Sequence, residues 1–413
     1  MPLAGAVSSV GALHTAVSLS HGTRNTTRTS QRILFINTRD RLEADVAVHA
    51  QLAHALQQSG SYAAFSLTKT ATAHLSRQIT GLPILLLPSQ CSSPRLAAIH
   101  LAAALQSIIQ YTLVYRVDIL HATDRPREAL LATLAARLTR RAAIIHFHSN
   151  VDASISHSTR WSIAHADAVI GVSRFLCRTI EELGLPIANL TVVHNAVNTD
   201  RFCPSCEQEG RSTLRLRLGI PPSAPLIGLI GRRIPYKGHA DLLDAIAVAG
   251  PDLATTHIAL VGEPNAAFPD YTQRLREQAQ HLGIAQRVHF LDYQHDILPV
   301  YQALDLLAVP SWDEPFGLVV IEAMAMKLPV VGYNCGALPE IITSGIEGIL
   351  VPRHDVVALG QAITHILHHP ELAARLGQAA RSRVDTAFCL AHQLQHIYAI
   401  YERIIQLQKK SVA

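Results

Sequence analysis

Ser311-Trp312-Asp313-Glu314-Pro315-Phe316-Gly317-Leu318-Val319-Val320-Ile321-Glu322-Ala323-Met324-Ala325-Met326 follows a short apolar run, Leu306-Leu307-Ala308-Val309, bounded by Asp305 and Pro310. A run this short between breakers fits a buried parallel strand better than a helix. Ser311 then marks the carboxyl end of that strand. Pro315 and Gly317 punctuate a loop, and helix formers resume from Leu318 to Met326 until Pro329 stops them. Gly317 therefore sits near a helix N-terminus, where unpaired N–H groups around Phe316, Gly317 and Leu318 favour an anion by about 0.3–2 kcal/mol. A phosphate suits this arrangement. Glu314 lies just outside the helix and Glu322 just over one turn inside it, so the two carboxylates can reach opposite ends of a ligand. In so apolar a helix Glu322 is a poor candidate for a solvated face, a capped or salt-bridged glutamate being the plain structural alternative.

Outward from this stretch, strands and helices alternate. Leu226 to Gly231 reads as a strand, followed by Arg232-Arg233-Ile234-Pro235-Tyr236-Lys237-Gly238 and a helix from His239. Gly231, Arg232 and Lys237 at that strand end form a plausible diphosphate clamp, because arginine can fork two phosphate oxygens and lysine supplies a point charge. It is not a P-loop, since the order G-x-x-x-x-G-K-S/T is absent. Further strands read at Leu260-Val261, Val288 to Leu291 and Pro329 to Tyr333, and Gly336 opens a loop where the backbone could approach a ligand. In the first half, strands read at Ile33–Ile36, Ala63–Leu67, Ile84–Leu87, Asp118–His121, Ala143–His146, Ala168–Val172 and Thr191–Val193 with helical stretches between them. Such alternation implies right-handed βαβ units and a doubly wound α/β sheet. His146 and His148 follow one another at a strand end, and the period of two points both to the same face. Ser173 either caps the helix Arg174–Leu183 or touches ligand, and capping is the expectation.

These residues resemble glycosyltransferase family 4, the retaining nucleotide-sugar transferases of GT-B fold. Glu314-Pro315-Phe316-Gly317 through Glu322 is similar to the family's two-glutamate motif, and Val192 through Phe202 to its interdomain stretch. The resemblance covers about residues 32 to 408 and is specific from Val192 to Pro352. It implies two Rossmann-like domains facing across a cleft: an acceptor domain over 32–200, a linker over 201–225, a donor domain over 226–388, and a helix over 389–413 returning to the first domain. It further implies that Glu322 binds the ribose hydroxyls and Glu314 the hydroxyls of the donor sugar. Arg232 and Lys237 would hold the diphosphate, with Gly231 and Glu263 in donor-side loops and His148 at the acceptor-side lip. Glu263 stands where the family often has aspartate, and three further places depart from the family pattern. The loop Asn37 to Glu43 lacks the usual glycines, Asp292 stands where glycine is frequent, and Ala337 replaces another.

The implied reaction moves a hexose-like sugar from a nucleoside diphosphate to a glycan, lipid-linked or other acceptor, in cell-envelope polysaccharide or lipopolysaccharide synthesis. Positive charge develops on the sugar and negative charge on the departing diphosphate, where Arg232, Lys237 and the helix start at Gly317 would stabilise it. The acceptor's proton passes to the leaving phosphate, so no enzyme base is needed. No aspartate-any-aspartate motif ends a strand, so no metal and no cofactor beyond the donor is expected, and activity should survive chelation. A GT-B phosphorylase or an epimerase is the nearest alternative, and a non-catalytic two-domain sugar-binding protein the non-enzyme one. A nicotinamide dehydrogenase is disfavoured, because no strand leads into G-x-G-x-x-G.

Composition agrees. At 413 residues the chain suits two domains, and 49% hydrophobic against 16% charged residues supplies material for large cores. A net charge of +4 without a basic run and interleaved aromatics excludes nucleic acid as the expected partner. Six scattered cysteines point to a reducing compartment, the cytoplasm. Cys203-Pro204-Ser205-Cys206 offers two of the four ligands of a structural zinc and reads as a linker coincidence. No apolar segment approaches the roughly 20 residues that span a bilayer, so a transmembrane segment is not expected. Arg137, Arg140 and Arg141 cluster at a helix end, where they either complement the helix dipole or meet an anionic membrane peripherally at its inner face. Residues 1–31 hold no acidic residue and read as a disordered extension.

Overall fold

The computed structural model describes residues 30–39, 44–68, 79–89, 93–204 and 209–412. The expected N-terminal extension lies outside these apart from its last two residues, as do Cys206 and positions 40–43 of the first loop. The first half runs β1 (Arg32–Ile36), α1 (Ala44–Gln58), β2 (Tyr62–Thr68), β3 (Ile84–Leu87), α2 (Pro94–Val114) and β4 (Ile119–Thr123). It continues with α3 (Pro126–Thr139), β5 (Ala142–Phe147), α4 (His157–His165), β6 (Ala168–Gly171), α5 (Arg174–Glu181) and β7 (Leu190–Val192). Then come α6 (Glu209–Arg217), β8 (Leu226–Ile230), α7 (His239–Ala249), β9 (His257–Val261), α8 (Tyr271–His281), β10 (Val288–Leu291) and α9 (Leu298–Ala303). The chain closes through β11 (Leu306–Val309), α10 (Leu318–Ala325), β12 (Val330–Tyr333), α11 (Leu338–Ile341), β13 (Ile349–Val351), α12 (Val356–His368), α13 (Pro370–Ala387) and α14 (Leu390–Val412).

The strands form two sheets, ordered β3-β2-β1-β4-β5-β6-β7 and β10-β9-β8-β11-β12-β13. Every pairing is parallel, which explains why the strands read as unbroken apolar runs rather than alternating ones. Strand order reverses between β1 and β4 and again between β8 and β11, and open α/β sheets bind ligands at such switch points, outside the carboxyl ends of the strands. The second switch point carries Gly231 to Lys237 on one side and Ser311 to Gly317 on the other. One face of the first sheet packs on α1 and α14, the other on α2 and α3. A third cluster joins the halves, running from Phe147, Val172 and Val197 to Tyr301, Phe316 and Val320.

Two expectations need correction. The stretch read as linker contains α6, whose Leu214 and Arg215 are buried; Arg215 Nη2 donates to Asp305 Oδ2 at 2.6 Å and its Nε to the Ala303 carbonyl at 3.0 Å. Its Pro, Ser and charge content hid a helix that draws stability from tertiary contacts rather than propensity. Arg95–Val114 of α2 is long and apolar enough to cross a membrane by length and composition. Gln106, Ser107 and Gln110 interrupt its apolar run, so a search for a continuous one passes over it. On α2, Ala104, Ile108 and Thr112 are buried, while Leu96, Ile99, Leu113 and Val114 are exposed. At the chain's end, Ile397, Tyr401 and Ile404 of α14 enter the core beside Leu52 and Leu56 of α1.

Candidate active site

The loops after β8 and β11 are stapled by Trp312 N donating to the Tyr236 carbonyl at 2.8 Å. Lys237 Nζ lies 2.6 Å from Glu314 Oε2, with Glu314 only 6% exposed. The residue assigned to the diphosphate and the one assigned to the sugar are thus one ion pair, and the ammonium keeps two further N–H donors for a ligand. The two consecutive arginines separate sharply. Arg233 is 3% exposed and bonds Thr272 Oγ1, the Leu291 carbonyl and Asp292 Oδ1 at 3.1, 3.1 and 2.6 Å. Arg232 is exposed and has no partner among the described residues, so its fork is available to phosphate oxygens. Asp292, in place of a frequent glycine, is the partner of Arg233. Glu263 is exposed, and its carbonyl accepts from Arg233 N at 3.0 Å.

Gly317 caps α10 with φ of 106°. Val320 N and Ile321 N return to the Gly317 carbonyl, and the N–H groups of Phe316, Gly317 and Leu318 have no acceptor among the described residues. These are the donors expected of an anion site. Gly336 serves the same loop from behind. Its φ is 56°, a Cβ there would lie 2.5 Å from the Glu314 carbonyl oxygen, and Ala337 N donates to that oxygen at 2.8 Å. The close approach is therefore to Glu314's own backbone. Gly336→Ala should lower stability by about 2 kcal/mol through strain and displacement, and raise the donor KM as Glu314 shifts. A denaturation midpoint and donor KM both matching wild type would show that the loop absorbs the methyl.

On α10, Glu322 Oε2 accepts from Tyr301 Oη at 2.6 Å. Burial pushes this carboxyl up to about 7, against the opposing effects of the Tyr301 bond and the Arg201 charge. Tyr301 was not singled out from sequence, being an ordinary tyrosine on α9 until tertiary packing brings it to Glu322.

The two domains are tied beside this loop. Ser173 Oγ accepts from Leu176 N at 3.0 Å, the expected cap of α5, and also donates to the Pro315 carbonyl at 2.7 Å. Glu340 takes N–H bonds from Arg174 and Phe175 at the α5 start, at 2.8 and 2.6 Å, and one from His194 at 3.4 Å. Burial alone would raise its carboxyl, yet these bonds hold it below the usual range. Across the cleft, Asn150 Nδ2 reaches the Asp313 carbonyl at 3.5 Å. His148, two residues earlier, is half-buried, whereas His146 is wholly buried. Of the two, His148 is the one with exposed surface. Burial pushes the imidazole of neighbouring His49 down to about 4 and those of His121, His146 and His148 well below the ordinary histidine value.

The family model for glycosyl transferases group 1 matches residues 211–383, and that for Glycosyltransferase Family 4 matches residues 46–201. The chain belongs to glycosyltransferase family 4. The first-half match begins after β1 and runs through β7, and the second-half match runs from α6 into α13, so each falls within one sheet and its helices. Among curated relatives, the D-inositol 3-phosphate glycosyltransferase of Streptomyces scabiei is 33% identical over 237 residues, 54% of this chain and 52% of the relative. That of Mycolicibacterium smegmatis is 34% identical over 221 residues, 52% and 48% respectively. The chain thus spans about half the length of the curated relatives it matches. The Anabaena protein HepE, solved with UDP, superposes with a TM-score of 0.77 at 23% identity, covering 90% of this chain and all of that one. Sucrose-phosphate synthase from Thermosynechococcus elongatus gives 0.73 at 22% identity over 91% of this chain and all of that one. These likenesses show the GT-B fold, two Rossmann-like halves, for this family 4 member.

Proposed function

We propose that this family 4 protein transfers a hexose-like sugar, with retention, from a nucleoside diphosphate to an uncharged sugar hydroxyl on a glycan or lipid-linked acceptor of the cell envelope. The observation that carries the reading is the convergence at one switch point of Lys237, Glu314, Arg232 and the N–H groups at the α10 start, the last two without partners among the described residues. Two cations and a helix start oppose the negative charge that grows on a departing diphosphate, while Glu314 orients sugar hydroxyls and Glu322 the ribose. A protein that only binds free sugar has no use for this charge arrangement. A uridine nucleotide is the first donor to test, since HepE is also solved with UDP-glucose.

For the acceptor, the arginine described in the β1 loop is already committed: Arg39 pairs with Asp45 and lies 3.7 Å from Glu128. That supports an uncharged acceptor over a phosphorylated polyol such as the substrate named for the curated relatives. The experiment measures nucleoside diphosphate release from a panel of nucleotide sugars, with and without neutral glycans and inositol 3-phosphate. Release stimulated by neutral glycans, with an axial or equatorial product matching the donor, is the expected result; stimulation by inositol 3-phosphate alone would overturn the acceptor proposal.

We further propose that α2 rests on the inner face of the cytoplasmic membrane. Its exposed Leu96, Ile99, Leu113 and Val114 are flanked by exposed Arg95 and Arg116, an apolar face with basic ends that matches an anionic bilayer surface. Arg137 and Arg140 at the end of α3 are exposed as well. Each arginine near such a surface contributes about 1 kcal/mol. Flotation should recover more protein with anionic than with neutral liposomes, and Ile99→Gln with Arg116→Gln should abolish the difference. Equal recovery in all cases would remove the membrane contact.

A further inference from the structure

Four histidines from three separate segments meet beside the first switch point. His49 comes from α1, His121 from β4, and His146 and His148 from the end of β5. His49 Nε2 is 3.4 Å from His146 Nδ1 and 3.2 Å from His148 Nε2, and His121 Nε2 is 3.2 Å from His146 Nδ1. One ring nitrogen from each of His49, His146 and His148 lies within 4.8 Å of the other two. His49, His121 and His146 are no more than 1% exposed.

Hydrogen bonding among neutral rings does not complete this cluster. His49 Nε2 faces two ring nitrogens and has at most one proton for them. If His146 Nδ1 accepts, its own proton sits on Nε2; if Nδ1 donates, Nε2 carries a lone pair. Either way Nε2 is buried without a partner among the described residues. Coordination to a cation resolves the crowding of lone pairs. A tetrahedral site with metal–nitrogen bonds of about 2.0–2.1 Å has nitrogen–nitrogen edges of about 3.3 Å; the two edges from His49, to His146 and to His148, are 3.4 and 3.2 Å, and the third lies within 4.8 Å. His121 packs against the set, its Nδ1 2.7 Å from Tyr401 Oη of α14 and its Nε2 3.2 Å from His146 Nδ1, the nitrogen that would face the cation. His148, half-buried at the lip, gives an entry path and the freedom to close the longest edge.

We propose that His49, His146 and His148 form a binding site for a divalent transition metal of the zinc class, held in the acceptor domain and apart from the diphosphate clamp. All-imidazole donors select zinc, nickel or copper over magnesium and calcium, and zinc is the one that takes tetrahedral nitrogen without redox chemistry. Bound there, it ties α1 to the end of β5. The sequence reading assigns no metal to this protein, and the proposal departs from it.

The test uses full-length protein without a polyhistidine tag, stripped by chelator and reloaded. Elemental analysis after zinc loading and buffer exchange should give about one zinc per chain, and cobalt should give the intense visible bands of a tetrahedral nitrogen site. Zinc should raise the Tm of the stripped protein by several degrees. His49→Gln and His146→Gln should each lose the metal and the cobalt bands. The surface pairs His365 with His369 and His392 with His396 are the competing explanation, their rings being 4.6 Å apart in each case. Replacing all four with glutamine should leave one zinc per chain. Loss of zinc in that variant, or absence of both stoichiometric zinc and cobalt bands in wild type, overturns the proposal. Should a core variant fail to fold, the wild-type cobalt spectrum and the surface variant decide the question between them.

Discussion

Arg232→Ala lowers kcat for sugar transfer by about a hundredfold or more while leaving the unfolding free energy within about 0.5 kcal/mol of wild type. The side chain is exposed and unpartnered among the described residues, so its removal breaks no internal bond; what is lost is charge aimed at the leaving diphosphate. Lys237→Ala gives a similar loss of turnover together with a loss of stability. Lys237 Nζ is the partner of Glu314 at 2.6 Å, and a carboxylate only 6% exposed is left unpaired, at a cost of about 2 kcal/mol. Lys237→Ala combined with Glu314→Gln recovers much of the stability and none of the turnover. Steady-state kinetics and denaturant melts on the three proteins check this. Near-normal turnover in both single variants would sink the clamp assignment.

Glu322→Gln carries the second large effect, and it is a pH effect. The folded carboxyl titrates near 7, above an unfolded glutamate. Between those values the folded protein holds a proton that the unfolded chain has lost, so stability falls as pH rises from about 4.3 to about 7 and is flat above. Glutamine removes that penalty. The variant should match wild type near pH 4 and exceed it at pH 8 by on the order of 3–4 kcal/mol, with the Tyr301 hydroxyl still bonded to the amide oxygen.

Donor binding moves the other way. Ribose hydroxyls donate to the ionised carboxylate, so wild-type affinity for an intact nucleotide sugar should rise up to about tenfold from pH 6 to pH 8. The nucleotide-sugar diphosphate has no group titrating in that range, so the rise reports on the protein. In Glu322→Gln the rise disappears and about 1–3 kcal/mol of binding is lost at pH 8. A 2′,3′-dideoxy nucleoside diphosphate supplies the matching cycle, because the variant should discriminate far less than wild type between it and the ribose form. Zero coupling, with both proteins folded, would return Glu322 to the role of a buried structural glutamate held by Tyr301.

Local chemistry was enough to read most of the framework. Short apolar runs between breakers located the strands of both sheets except the edge strand β13, because a strand buried on both faces has few other solutions. Gly317 after Pro315 placed a helix start beside Glu314, and Ser173 read as a cap is a cap. Those readings depend on a few neighbouring residues, which the sequence lists in order.

What only the tertiary structure decided are the pairings of groups far apart in the chain. Which of Arg232 and Arg233 is free depends on Thr272, Leu291 and Asp292, between 39 and 59 residues away from Arg233. The polarity of Glu322 depends on a tyrosine 21 residues earlier, and the Lys237–Glu314 pair joins positions 77 apart. His146 and His148 share a face by period, but that one is sealed and the other open, and that His49 meets both, follows from α1 folding back over the sheet 97 and 99 residues away. The sequence by itself determined the elements and the residue types at their ends. Partner, burial and charge state were left to packing, because burial is a property of what lies against a side chain, and for these groups that is chain contributed from elsewhere in the fold.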